Sequence, residues 1–498
     1  MLPALTDALL PSHSKHLREP RFGEYNLFFT NHVKDTYLQD VAEADSQELV
    51  KQIHEFYLDY VILDPHIFEI PSQMKGTSAF LQAPYIDRQE ILAEVDRTVE
   101  SMSALLLSLK VRKPVIRYQK SSDVAYQVAE SLYRLTYYQA GSLFATERGS
   151  SEPVVLVLDR NDDPITPLLS QWTYQAMVHE LIGISNNRID LSNAPKVPKD
   201  QKQVVLSSYQ DEFFRGQMYN NYGDLGTEIK NLVDSFQEQS KMNHNIQTIE
   251  DMQRFVENYP EFRSKQGNVS KHVTLMTELS RQIDQRNLMT VSELEQEIAC
   301  NATSSSICDE VISLIKDPSV QKNDKVRLAM LVCIKFDREA DMISRVVSAL
   351  IDSGVAARKA GLVRTVVDYG GTGKRSGDLF GSRNFFSRAQ TAVKGLKGVD
   401  NVYTQHQPHV SSIVDQLLKG KLKESEYPFH SQVPVIDCKN AKDIIVVITG
   451  GVTYEESRAV AALNASFPGI RVFLGGNGIL NSKLYLEALE ERERYANA

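Results

Sequence analysis

The run Val154–Leu158 (VVLVL) constrains the fold more than any other part of the chain, and it opens the stretch PVVLVLDRNDDPITPLLSQWTYQAMVHELIG at 153–183. An unbroken apolar, mostly β-branched segment of this length marks a strand covered on both faces, so the sheet that holds it has a layer on each side. Carboxylates follow at Asp159, Asp162 and Asp163. Thr166 and Pro167 then read as the N-cap and first residue of a helix. Leu169, Trp172, Ala176, Leu181 and Ile182 offer that helix one apolar side, and Gly183 closes it. Strand, polar loop and capped helix make half of a parallel α/β unit.

The same alternation precedes it. Tyr25–Thr30, Tyr60–Leu63 and Val115–Tyr118 read as strands, and about Leu38–Tyr57, Glu90–Lys110 and 123–140 as helices. After residue 203 the pattern changes. Ile229, Leu232, Val233 and Phe236 recur at helical spacing, followed by Ile249, Met252, Phe255, Val256 and Tyr259 and then Val273, Met276, Leu279 and Ile283. Ser292 with Glu295 resembles a capping box, and 204–350 reads as almost all helix with a hairpin tip at Pro260–Asn268. Asp443–Gly450 (DIIVVITG) returns to a buried strand, Thr453 with Glu456 caps a helix, and Arg471–Leu474 is a last strand. The reading is α/β: doubly wound parallel-sheet domains with a large, mostly α-helical insertion, the closing strands completing the sheet begun near Val115. A chain of 498 residues needs several such units, because single cores stop growing near about 250–300 residues. The expected division is 1–109, 110–203, a helical 204–436 and a closing 437–498, the last returning to the unit of 110–203.

Composition excludes several classes. A net charge of −9 gives no overall electrostatic case for nucleic acid. Cys300, Cys308, Cys333 and Cys438 form neither a CxxC pair nor a disulfide framework, which fits a reducing compartment. Apolar runs such as Ile444–Ile448 fall far short of a membrane span, so any membrane association is expected to be peripheral.

Candidate chemistry is sparse. Asp159, Asp162 and Asp163 stand where an open parallel sheet places its ligands, yet as metal ligands they need further oxygens. The simpler account is that Arg160 pairs with a carboxylate while the others build turns. Gly370–Ser376 (GGTGKRS) tempts as a phosphate loop, but Asp368 and Arg375 stand where that motif needs glycine and a hydroxyl residue. Gly450-Gly451 and Gly475-Gly476 read as tight turns, and His406 with His409 lacks a ligand set for zinc. No nucleophile stands in a setting such as GxSxG. Residues 355–424 carry twelve Lys and Arg against five Asp and Glu, either a solvated face or a docking surface centred on Lys374 and Arg375.

Blocks along nearly the whole chain resemble the SM (Sec/Munc) family of SNARE regulators. They include FGEYNLFFTN (22–31), LVLDRNDDPITPLLSQWTYQAMVHELIGI (156–184), RFVENYPEF (254–262), VSKHVTLMTELSRQ (269–282), NVYTQHQP (401–408) and DIIVVITGGVTYEE (443–456), most similar to the branch serving traffic between trans-Golgi network and endosomes. The resemblance implies an arch of three domains without catalytic activity, cofactor or metal. It also implies a cytoplasmic monomer, peripheral on membranes, that binds a syntaxin-like (Qa-type) SNARE and the assembled SNARE complex. By the same resemblance Asp159, Arg160, Asp163, Thr166, Trp172, Thr173 and Gln175 are structural. A SNARE-facing hairpin maps to 246–286 with its tip at 255–268, offering Phe255, Tyr259, Pro260 and Phe262 beside Arg263, Lys265 and Lys271, although helical spacing marks local core equally well. A pocket for the SNARE's N-terminal peptide maps to Leu27, Phe28, Phe29, Val41, Ala42 and Asp45. Family members begin with a strand and helices that Met1–His16 does not match, so the first domain is expected to lack a leading strand. The rival from another class is a nucleotide- or metal-binding enzyme built on Asp159, Asp163 and the Gly450 turn.

Overall fold

Every residue of Val154–Asp159 is buried, as a strand enclosed on both faces requires. The computed structural model describes residues 16–72, 79–111, 113–139, 143–144, 153–244, 249–301, 306–377, 379–380, 403–430 and 441–496. In chain order its strands are β1 (Tyr25–Phe29), β2 (Val50–Glu55), β3 (Val61–Asp64), β4 (Ile67–Glu69), β5 (Val115–Tyr118), β6 (Val154–Asp159), β7 (Arg188–Asp190), β8 (Gln203–Val205), β9 (Asp443–Thr449) and β10 (Arg471–Gly476). Six of them form one sheet in the order β3-β4-β10-β9-β6-β5. All neighbours in it run parallel except the hairpin β3–β4.

Helices cover both faces, and the period of two along each strand decides which residue meets which layer. α1 (Asp35–Ala44) packs on the separate β1–β2 pair, and the helices flanking the six-stranded sheet here are α2 (Arg88–Ser108), α3 (Asp123–Arg134) and α4 (Tyr174–Leu181). The helical part follows as α5 (Glu212–Gln217), α6 (Tyr222–His244), α7 (Ile249–Gln285), α8 (Leu288–Gln296), α9 (Ile307–Lys316), α10 (Lys322–Lys335), α11 (Ala340–Asp352) and α12 (Ala357–Gly370). The chain then returns to the sheet through α13 (His409–Leu418), α14 (Tyr454–Ser466) and α15 (Ser482–Ala496). Leu156, Leu158, Val446 and Ile448 pack on one face against Ala176, Ile413 and Val460. Val155, Val157, Ile445 and Val447 pack on the other against Met102, Leu106, Val128 and Leu132. A separate core gathers around α10, whose Val326–Ile334 are buried on every side.

Several local expectations change. The helix expected over Leu38–Tyr57 stops at Ala44, because the Asp45 carboxylate takes the amides of Leu49 and Val50 at 2.8 Å each and turns the chain into β2. β3 and β4, which fall within the 1–109 expected as a separate unit, join through β4 to β10, so a boundary at 109/110 cuts through one continuous sheet. No single helix runs from Thr166 to Ile182: two short 3₁₀ turns (Arg160–Asp162 and Thr166–Leu168) and an extended segment precede α4, and Asp163 caps where Thr166 was expected to. Gly183 does end that helix, at φ 105°. Ser292 and Glu295 lie inside α8, which starts at Leu288 after Asn287, while Thr453 and Glu456 form both halves of the capping box on α14.

Gly475 and Gly476 lie within β10 and make no turn. A Cβ on Gly475 would stand 2.1 Å from the Phe68 ring of the neighbouring strand. Gly475→Ala is therefore expected to lower unfolding free energy by about 1–3 kcal/mol, the usual cost of overpacking, and Phe68→Leu in the same chain to restore part of it. Urea titration of the two variants checks this; additive losses would show that Phe68 is not the obstacle.

Candidate functional site

The carboxyl end of β6 is filled by the chain's own side chains. Asp159 accepts from the Asn161 amide at 3.1 Å, Ser122 Oγ at 2.6 Å and the Tyr369 hydroxyl at 3.2 Å. Asp162 accepts from the Ser376 amide and the Tyr427 hydroxyl, each at 2.7 Å. Asp163 accepts from the amides of Ile165 (3.2 Å), Thr166 (3.0 Å) and His409 (3.0 Å) and from Thr166 Oγ1 at 2.6 Å. Burial alone would raise the Asp163 pKa; Arg160 and His406 outweigh it and hold the carboxyl well below its usual range. Arg160, 1% exposed, faces Glu456 at 2.8 Å. These aspartates receive the chain where it returns from the helical part, at 369–376, 406–409 and 427. The simpler account of them holds: each builds a joint, and among the described residues no group of three or more His, Cys, Asp or Glu could hold a metal.

The glycine-rich loop is equally self-contained. Its Thr372 amide donates to Asp337 at 2.5 Å and its Ser376 amide to Asp162, so carboxylates of this chain hold N–H groups that a phosphate would need. It follows the end of α12 and opens no helix. Arg375 folds back to the Gly370 carbonyl at 3.1 Å and lies over Phe380, while Lys374 is exposed. The basic residues at 383, 388, 394 and 397 lie outside the described residues.

A second joint binds the sheet to the helical part. Trp172 Nε1 donates to Ser292 Oγ at 2.7 Å, Thr173 Oγ1 to Glu455 at 3.3 Å and Gln175 Nε2 to Asp64 at 2.5 Å. Arg327 is fully buried between Glu295 (2.7 Å) and Glu180 (3.0 Å), and Glu295 also takes the Ser170 amide at 2.6 Å. The Tyr174 hydroxyl meets His272 Nδ1 at 2.7 Å, and His272 Nε2 meets Asp211 at 2.9 Å, where Lys271 also pairs. Thus Asp159, Arg160, Asp163, Thr166, Trp172, Thr173 and Gln175 form one buried spine from β6 to α4. Sequence reasoning missed Tyr174, Asp211, His272, Glu295 and Arg327 as partners in it; only the Ser292–Glu295 pair carried a signal, and it was read as a cap.

The hairpin expected at 246–286 needs correction. Ile249–Gln285 is one helix of 37 residues, with no tip at 255–268, and the connection from α6 falls at 245–248, outside the described residues. A proline removes one donor and disturbs one turn, and Pro260 does not end a helix whose far half is held by buried Leu275, Leu279 and Ile283. The paired helices are α6 and α7. Phe255, Tyr259, Pro260 and Phe262 lie on the helical backbone, their side chains outside the described set. Residues 263–267 are all exposed, so Arg263 and Lys265 stand on a solvent-exposed stretch, the shaft of the helix. Lys271 lies at the root, bonded to Asp211 and to the Val205 carbonyl at 3.3 Å. A cleft of about 430 Å³ opens there, lined by Gln201, Val205, Asp211, Lys265, Asn268 and Lys271.

The six residues expected to form a peptide pocket do not share one surface. Val41 packs with Leu17 and Ala44 against Leu27, whereas Phe28 points to the opposite face of β1 and stacks on His54 at 5.5 Å. Phe29 is half-buried, Ala42 is exposed, and Asp45 is spent on the turn already described.

Comparison with known proteins is consistent across the chain. The Sec1 family profile matches residues 3–488. The vacuolar protein sorting-associated protein 45 homolog of Arabidopsis thaliana is 45% identical over 97% of this chain and 84% of its own length. The solved structure of the SM protein Vps45 in complex with the Qa SNARE Tlg2 (1–310) is 41% identical, with a TM-score of 0.87 over 99% of this chain and 85% of that one. The Unc18–syntaxin 1 complex from Monosiga brevicollis, at 18% identity and a TM-score of 0.76 over 98% of this chain and 87% of that one, shares the fold.

Buried histidines give both joints a pH dependence. Burial brings His179 down to about 4, and it also lowers His272 and His406 against the opposing pull of Asp211 and Asp163. A histidine whose pKa folding lowers binds its proton more readily when unfolded, so stability is complete above about pH 6.5 and falls as pH drops, for His179 down to about 4. His179 alone should remove roughly 3 kcal/mol by pH 4. Urea unfolding at pH 7.5, 5.5 and 4.5 is expected to show this slope flattened in His179→Gln; an unchanged slope would dismiss the assignment.

Proposed function

Since the chain belongs to the Sec1 family, we propose that it is a non-enzymatic regulator of SNARE assembly in vesicle docking and fusion, binding a syntaxin-like Qa SNARE and the assembled SNARE complex. The match over 99% of the chain to a Vps45 solved with its Qa SNARE carries this reading. Relatives named for vacuolar protein sorting support a place in vacuolar transport, and the proposal extends it to endosomal and trans-Golgi membranes. No helix among the described residues is long and apolar enough to cross a membrane, and the SNARE would supply the peripheral attachment. The enzyme rival on Asp159, Asp163 and the Gly450 turn has no support, because the polar atoms it needs are joints within the fold.

The mechanism rests on geometry that is fixed before a partner arrives. The long helix α7, rooted through Tyr174, His272, Asp211 and Lys271 and packed on α6, holds residues 263–267 exposed to solvent. A SNARE helix laid along it in one register loses less freedom when its bundle nucleates, and that is how a protein without catalytic groups accelerates assembly. The N-terminal peptide of the SNARE would dock on the β1–α1–β2 unit, where Phe28 and Ala42 are the exposed positions among those expected to line its pocket.

Charge reversal on the shaft tests the site. Arg263→Glu with Lys265→Glu is expected to weaken binding of a Qa SNARE cytoplasmic domain about tenfold by calorimetry, with unchanged helicity, since both residues are exposed. Equal affinity would move the contact off the shaft. No binding by the unaltered protein would end the proposal.

A further inference from the structure

Six aromatic rings gather beyond the β5 edge of the sheet: Tyr118, Tyr126, Tyr133, Tyr137, Tyr138 and His430. Tyr126 and Tyr133 stand at i and i+7 on α3, and Tyr137 extends the stripe by another turn through the π-helical Leu135–Gln139. The opposite side of α3 is already buried, through Val124, Ala125, Val128, Ala129 and Leu132. The rings meet edge to face: Tyr118–Tyr126 at 5.5 Å, Tyr126–His430 at 5.6 Å, Tyr133–His430 at 5.2 Å and Tyr133–Tyr138 at 5.7 Å. Tyr138 is 72% exposed and Tyr126 44%. The backbone edge itself is not on offer, since residues 426–430 cover it through the bonds Tyr118 N to Pro428 O, Lys120 N to Glu426 O and His430 N to Ile116 O. What this surface presents instead is rings, Tyr126 and Tyr138 most of all.

Charge decides what they suit. Lys113 lies over the Tyr137 ring at 5.1 Å, and Arg134 is exposed between Tyr133 and the π turn. Among the described residues neither is ion-paired, whereas the carboxylate in the stripe, Glu130, is engaged by His430 at 2.7 Å. Asp123 lies at the far end of α3. From Tyr126 to Tyr137 the stripe runs roughly 16 Å, the reach of about five residues of extended chain. Rings packed edge to face leave slots for proline or aromatic side chains, and tyrosine hydroxyls can donate to a ligand's carbonyls. We propose that this patch is a second docking surface, taking an extended acidic protein segment that carries proline or aromatic residues. It is separate from the proposed SNARE shaft: Gln175, at the start of the helix that roots the shaft, bonds to Asp64 on β3, the opposite edge of the sheet, about five strand spacings or ~24 Å away. Both surfaces can be filled together.

The test is selection of random 12-residue displayed peptides on the full chain. Recovered peptides are then titrated by fluorescence anisotropy against the unaltered protein, Tyr126→Ala/Tyr138→Ala and Arg134→Glu. Acidic peptides rich in proline or aromatic residues are expected, about tenfold weaker on the double tyrosine variant and weaker on Arg134→Glu, with Qa SNARE affinity unchanged in both. Peptides no more acidic than the input library, or equal binding to all three proteins, would overturn the proposal. So would an oligothymidylate probe that binds this patch more tightly than the selected peptides. Should the double variant unfold, Tyr138→Ala alone carries the comparison, its ring being mostly in solvent.

Discussion

A guanidinium with 1% of its surface exposed can stay charged only beside a carboxylate at fixed range, and Arg160 has Glu456 at 2.8 Å. The same Glu456 closes the capping box by accepting the Thr453 amide at 2.8 Å, so one carboxylate neutralises a buried cation and starts α14. The partners come from opposite sides of the helical part: Arg160 follows β6, and Glu456 follows β9. Their contact fixes both ends of that long excursion at one point, reinforced by in-register pairing of β6 with β9. Removing either partner would leave the other charge buried and unmatched, a cost on the order of 3–5 kcal/mol, whereas an exposed ion pair such as Arg345–Asp309 contributes far less.

That arrangement decides what kind of function the fold can carry. The carboxyl end of a parallel sheet is where a doubly wound protein ordinarily opens a crevice for its ligand. Here the crevice holds Arg160, Glu456, Asp163 and Tyr369, and the backbone turn beside it is closed as well. Gly450 sits at φ 93° with Arg160 Cβ 3.0 Å from where its own Cβ would be. The polar groups that would handle a small molecule are engaged with one another. The proposed recognition surface therefore lies on helices, with the sheet as the frame that sets their positions.

What the sequence revealed follows from which forces act locally. A run such as Val154–Leu158 can only be an enclosed strand, and Thr453 with Glu456 names a helix start through contacts three residues apart, so both were legible. Asp45 and Asp163 were less so, because each redirects the backbone with its side chain and leaves no periodic trace. The second joint was invisible for another reason. Trp172 and Ser292, or Tyr174 and His272, are joined across about a hundred residues, and nothing in either neighbourhood announces the other. Ser292 and Glu295 misled for the same cause: a spacing that usually marks a cap was serving bonds to Trp172 and Arg327. Pro260 misled in the opposite sense, as a local helix breaker overruled by the helix around it.

The contrast within α7 bears on how such a molecule works. Its C-terminal half is clamped, with Leu275 and Leu279 wholly buried and His272 fixed between Tyr174 and Asp211. Residues 263–267 are exposed by contrast, and a solvent-facing helix draws much of its stability from propensity and from packing on its neighbour α6. A partner helix laid on that shaft covers groups that are otherwise hydrated and so stabilises the surface it binds. The clamped root keeps this gain from being lost to rotation of the whole hairpin, since Tyr174, Asp211 and His272 come from three separate elements and must all move for the shaft to swing. Rigidity at the root and exposure along the shaft are complementary requirements of the proposed site: the first would fix where a partner helix lies, and the second would present the side chains that select it.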